Sequence, residues 1–305
     1  MRHRAPRTAL CAVLASLAYA PPAAHAQQAA WDRLLPAGEH FRPPVADPLE
    51  PRFSAGLLSS DILSRQGPER PPFQLTDPAA DARETVAAVA LGLTFPIAAL
   101  AEWEGGGLAL TGHAAVHSRF RIQYPSRDDM GQDWVVGGGL AASRDALSGR
   151  LRIHHRSSHL GDEFMEATGA RRIEFGGEAI EGLAAYTHPA GLRLYGGGSW
   201  IFHSMTAHQT VLAAWGRDDR YTVQAGGDGE WAPWKNGRLG VNAGVDWQAA
   251  QRTSWRGQFS AAAGVFARNA AQLGFSVRYF TGPSTMGEFF LTDETYWSLE
   301  LTGRF

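Results

Sequence analysis

The sequence has 305 residues, a formal net charge of −2 at pH 7, 35 glycines, 10 tryptophans and one cysteine. The near-neutral balance excludes the basic footprint of a nucleic-acid binder, and the lone Cys11 excludes intrachain disulfides and cysteine-based zinc sites. After residue 26 no stretch is apolar for the roughly 18 residues that a spanning helix needs, so strands are the only way left for this chain to cross a bilayer.

In chain order, the first element is a leader. Met1-Arg2-His3-Arg4 is basic, Thr8 to Ala20 is apolar, and Ala24 and Ala26 form an A-x-A site, the three parts of a cleaved signal peptide over residues 1–26. That leader contains Cys11, so an exported chain would have no thiol nucleophile. Residues 27–50, with Pro36, Pro43, Pro44 and Pro48, read as a periplasmic extension or a lumen plug. Residues 51–305 read as one domain.

That domain alternates with period two. In Leu239-Gly240-Val241-Asn242-Ala243-Gly244-Val245-Asp246-Trp247-Gln248 the odd positions are apolar and the even ones polar or glycine, the pattern of a strand with two different faces. Such strands are expected over 51–59, 85–103, 107–122, 132–145, 149–158, 172–187, 191–204, 219–231, 236–250, 253–268, 270–281 and 294–305. Short connections alternate with longer ones, and Val211 to Trp215 in one long connection reads as a short helix. The polar set holds too many Arg, Gln, Asp and Glu residues for a dry core, and aromatics collect toward segment ends. That combination predicts an all-β fold, a 12-stranded antiparallel transmembrane barrel of the outer-membrane type with a polar lumen. The last strand places Trp297, Leu299, Leu301, Gly303 and Phe305 on one face. Ending on Phe305, it resembles the C-terminal signature read by the outer-membrane assembly machinery. The expected location is the Gram-negative outer membrane, with outer-membrane lipids as partners.

The densest chemistry is Arg152-Ile153-His154-His155-Arg156-Ser157-Ser158-His159-Leu160-Gly161-Asp162-Glu163-Phe164. Parity puts Arg152, His154 and Arg156 in the lumen and His155 and Ser157 with Leu151 and Ile153 on the lipid side. A histidine two residues from a serine on one face can act as its general base. The third member is expected among the carboxylates that follow. Glu163 is taken as the orienter, and Ser158, His159, Asp162, Glu166 and Glu174 make up an alternative site. Arg119, Arg152, Arg156 and Arg193, with His113, His117 and His203, are expected to line the lumen. No metal centre is expected, since His154 and His155 point to opposite faces.

The His155/Ser157 pair, late in an ascending strand, resembles the site of two outer-membrane lipid hydrolases, phospholipase A and the lipid A 3-O-deacylase. Those enzymes follow the serine with asparagine, where this chain has Ser158. The resemblance implies acyl-ester hydrolysis and, from the phospholipase, a calcium ion, for which the Asp162-Glu163 pair offers oxygen ligands. The run Ser157-Ser158-His159-Leu160-Gly161-Asp162-Glu163 also resembles an uncharacterised bacterial outer-membrane family, a domain of unknown function, which implies no activity. Two functions stay open on sequence. The favoured one is an integral barrel without enzymatic activity, either structural or a narrow channel; the alternative is a serine-type lipid esterase acting on phospholipid or lipid A.

Overall fold

The computed structural model describes residues 33–36, 38–62, 83–124, 127–170, 172–214 and 216–304; residues 1–26, where a signal peptide is expected, and Phe305 lie outside the described residues. Twelve strands form a closed antiparallel barrel. They are β1 (Phe53–Ser60), β2 (Glu84–Trp103), β3 (Gly106–Arg121), β4 (Asp129–Arg144), β5 (Leu147–Leu160) and β6 (Gly176–Thr187), followed by β7 (Leu192–Ser204), β8 (Tyr221–Trp234), β9 (Leu239–Ala250), β10 (Gly257–Arg268), β11 (Gln272–Pro283) and β12 (Asp293–Arg304). Each strand pairs with its sequence neighbours, and β1 seals the seam by pairing with β2 on one side and β12 on the other. The short, compositionally mixed segment at 53–60 is thereby fixed: without it the ladder would end in open edges, which a barrel abolishes.

Alternation sets which side chains face in. Leu57, Leu91, Val136, Ile153, Leu194, Val245, Val265, Phe275, Val277 and Leu299 are exposed on the outer wall, while Arg150, Arg152, Arg193, Asp228, Asp246, Arg278 and Glu300 are buried inside. In water each exposed aliphatic or aromatic side chain would forgo about 1.5–3 kcal/mol of burial, so this inverted wall is built for lipid. The short connections cluster at one end. They include the tight turns at Gly105 and Asp145, both with positive φ. The long loops share the other end, with helices α1 (Asp162–Thr168) and α2 (Thr206–Ala214). None of the described helices is long and apolar enough to cross a membrane.

Most strand limits differ from the sequence expectation by one to four residues: β4 starts at Asp129 rather than 132, β5 extends to Leu160 rather than 158, β8 ends at Trp234 rather than 231 and β9 starts at Leu239 rather than 236. β6 starts at Gly176 rather than 172, because Ile173 and Phe175 turn inward and donate their backbone N–H groups to Glu288. β8 starts two residues later than expected, at Tyr221. β10 starts at Gly257 because Gln251–Thr253 forms a 3₁₀ turn, with Ser254 and Trp255 at positive φ.

The lumen is filled from two sides. Residues 38–52 run through it, and their groups meet the wall: Arg42 pairs with Asp228, Glu50 with Arg150 and Arg152, and Arg278 donates to the Ala46 carbonyl. Burial alone would push the Glu50 carboxyl up, but the two guanidiniums overcome it and hold the group down to about 2. At the long-loop end Phe164 of α1, Leu212 of α2, Ile173, Phe175, Phe289, Phe290 and Tyr296 form an apolar cap. Cavities of about 120 Å³ remain beside the plug segment, one lined by His113, His154 and Arg152, the other by Glu39, Pro43 and Arg304.

Candidate active site on the outer wall

β5 carries the opening residues of the site. Arg150, Arg152 and Ser158 face the lumen and are buried, so by parity Leu151, Ile153, His155 and Ser157 face outward. Ten residues separate Leu147 from Ser157. At about 3.3 Å per residue and a tilt of ~40° they climb roughly 25 Å, the height of an apolar band. Ser157 therefore stands at the upper edge of the wall, opposite Trp134 of β4. Trp134, Trp200, Phe202, Tyr221, Trp247 and Trp297 are all exposed, and they form the aromatic belt at this height.

Strand pairing supplies the partners. Opposite His155 in the β5–β6 register is Glu178, and opposite Glu178 in the β6–β7 register is His203. His155 Nδ1–H donates to Glu178 Oε1 at 2.8 Å, and His203 Nδ1–H donates to Glu178 Oε2. An ionised carboxylate only accepts, so both imidazoles keep their proton on Nδ1 and leave Nε2 as the basic nitrogen. The Ser157 hydroxyl has no hydrogen-bond partner among the described residues. Across from it stands Gly176, where an added Cβ would come within 2.5 Å of Met205 Sδ. The missing side chain at Gly176 lets Met205 lie against the strand beside the serine.

The structure distributes the other expected residues as follows. Glu163, expected to orient the imidazole, lies exposed on α1, and the carboxylate on His155 is Glu178 instead. Chain proximity favoured Glu163, but α1 folds its Phe164 into the cap and turns its acidic face to solvent. Ser158 points inward and its Oγ accepts the backbone N–H of Glu288. His159, Glu166 and Glu174 are exposed, and Asp162 is bound by Arg172 at 3.0 Å. These five are not brought together. His203, expected in the lumen, is outside: a β-bulge inserts Phe202 opposite the Glu178/Ala179 step and turns the next side chain to the other face. Each of the lumen arginines has a carboxylate. Arg119 pairs with Glu294 at 2.5 Å, Arg152 with Glu50 at 2.9 Å, Arg156 with Asp133 at 2.5 Å and Arg193 with Asp228 at 2.6 Å.

Glu178 was the residue that reading along the chain missed, although its signal was present. It shares parity with Ile180, Gly182, Ala184 and Tyr186, a carboxylate on the apolar face of a strand. His203 had no such signal, since a bulge is invisible to alternation. For calcium the fit is poor: Asp162 is engaged by Arg172, Glu163 points to solvent, and no group of three or more His, Asp or Glu side chains among the described residues converges on a metal position.

Residues 77–305 match the model of a protein family described as a protein of unknown function, DUF1207. The sequence has no match among curated proteins. Among solved structures, the outer membrane phospholipase of Salmonella typhi, a dimer with bound calcium, superposes with a TM-score of 0.52 at 9% identity, covering 84% of this chain and 93% of that one. Outer membrane phospholipase A from Escherichia coli gives 0.50 at 13% identity, covering 84% and 92%. At such identities the likeness is one of fold, an outer-membrane-type barrel.

Proposed function

The chain belongs to this family, whose description carries no activity, and from the site itself we propose that it is an outer-membrane acyl hydrolase acting on ester-linked lipid. The observation that carries the proposal is the bond from His155 Nδ1 to Glu178 at 2.8 Å, on the same outward face as Ser157. At the edge of the apolar band a carboxylate and two histidines cost little stability, but a structural barrel or a pore has no use for the hydrogen bonds that tie them together. They do suit a reaction whose substrate arrives from the lipid side.

In the proposed reaction Ser157 Oγ attacks the ester carbonyl while His155 Nε2 takes its proton. Glu178 keeps the imidazole in the tautomer that has a free Nε2 and stabilises the imidazolium that forms. The imidazolium then gives its proton to the departing alkoxide, and a water activated by the same Nε2 releases the fatty acid from the acyl-serine. Insertion into the outer membrane through the strand ending in Phe305 belongs to the same reading.

The test is fatty-acid release by the purified barrel from phosphatidylethanolamine and from lipid A in mixed micelles. Ser157→Ala and His155→Ala are each expected to reduce release at least a thousandfold with the barrel intact. A wild-type protein silent on both substrates would sink the proposal. The channel reading would gain ground only from a steady conductance in planar bilayers, and the plugged lumen with its paired arginines speaks against one.

A further inference from the structure

We propose that His203 is a positioning residue of this site, holding the second oxygen of Glu178 so that the first stays on His155. The inference rests on the hydrolase reading and adds to it a residue from a third strand.

A glutamate side chain has three rotatable bonds and, on an outer wall, few neighbours to confine it. Glu178 is about one-third exposed. Its two oxygens are nevertheless both committed, Oε1 to β5 and Oε2 to β7, which fixes the plane of the carboxylate along the row of paired residues.

The backbone is shaped for this contact. Had β7 kept its alternation, the residue after Phe202 would sit on the lumen face with Ile201. The bulge at the Glu178/Ala179 step turns His203 outward at the one place where Glu178 stands across from it. Gly177 makes room on the neighbouring strand: a Cβ there would fall 2.5 Å from the His203 carbonyl oxygen. Bulges re-aim side chains beside functional sites in this manner. The other titratable groups on this part of the wall are few. β5 presents His155 and His159, β4 presents none but only Trp134 and Val136, and just before β8 Arg220 is paired with Asp218 at 3.3 Å.

Two variants separate positioning from packing. His203→Phe keeps a ring but removes the donor, and His203→Asn keeps an N–H close to the position of Nδ1 without the ring. His203→Phe is expected to lower kcat on phosphatidylethanolamine micelles about 10- to 100-fold, the loss of a hydrogen bond to a charged group, with KM little changed. His203→Asn should recover kcat to within a few fold. If Ser157→Ala is inactive but His203→Phe matches wild type in kcat, or His203→Asn is as impaired as His203→Phe, the positioning role is refuted and the hydrolase stands. If wild type or Ser157 fails the lipid test, the hydrolase reading falls and this inference with it.

Discussion

Glu178→Gln isolates the charge of the candidate orienter without altering its shape. In the wild type the carboxylate accepts from His155 Nδ1–H at 2.8 Å, so when His155 becomes an imidazolium the two opposite charges are centred about 4 Å apart. At an effective dielectric of about 20 that attraction is about 4 kcal/mol. Glu178 is partly exposed, and discounting for screening leaves roughly 2–3 kcal/mol, or about 30- to 150-fold in kcat. The amide also permits a worse outcome. If its NH₂ turns toward His155, Nδ1 must become the acceptor and the proton moves to Nε2, the wrong tautomer, for which a loss of about 10⁴ is expected. The assay is fatty-acid release at saturating phosphatidylethanolamine in mixed micelles, with heat-modifiable electrophoretic migration reporting that the barrel has folded. A Glu178→Gln barrel with kcat within threefold of wild type, alongside an inactive Ser157→Ala, would show that His155 works without this carboxylate.

Four further outcomes follow from the structure. Gly176→Leu should push Met205 off the strand and crowd Ser157, lowering kcat/KM for two-chain lipids more than for a short soluble ester. Glu50→Ala leaves Arg150 and Arg152 facing each other without their shared partner; about 3–5 kcal/mol of stability should be lost, read as a lower urea midpoint in detergent. Removing residues 39–52 opens the lumen below the cap and takes the carboxylate from Arg152, while Arg150 keeps Glu181, so planar bilayers that are silent with the full chain should show a steady conductance. His208 on α2 is lowered to about 4 chiefly by burial, below its unfolded value near 6.5, so the unfolded segment binds the proton first. The stability of the cap is then full above pH 6.5 and falls as pH drops toward 4, by about 3 kcal/mol at most. Amide exchange at 206–214 should speed up over that window, and not in His208→Gln.

What the sequence by itself determined was everything that depends on alternation along one strand. Period two distinguished the faces, so that Ile153, His155 and Ser157 were separable from Arg150, Arg152 and Arg156, and the excess of charge on the inner face distinguished a barrel from a sandwich. Twelve strands followed from counting, and even the weak segment at 53–60 was required by the parity of the count. What only the tertiary structure decided was what lies across from what. β5 and β6 are joined by a long loop containing α1, and such a loop leaves open which residues face one another, so the pairing of His155 with Glu178 could not be counted from the sequence. Nearness along the chain pointed to Glu163 instead, which the apolar anchor Phe164 carries away into the cap. A single inserted residue at Phe202 then reversed the face of His203, because a side-chain period of two has no memory across a bulge. The His155/Ser157 pair is local and was legible. The carboxylate bonded to His155, and the second histidine bonded to that carboxylate, come from neighbouring strands and are set by the closure of the barrel.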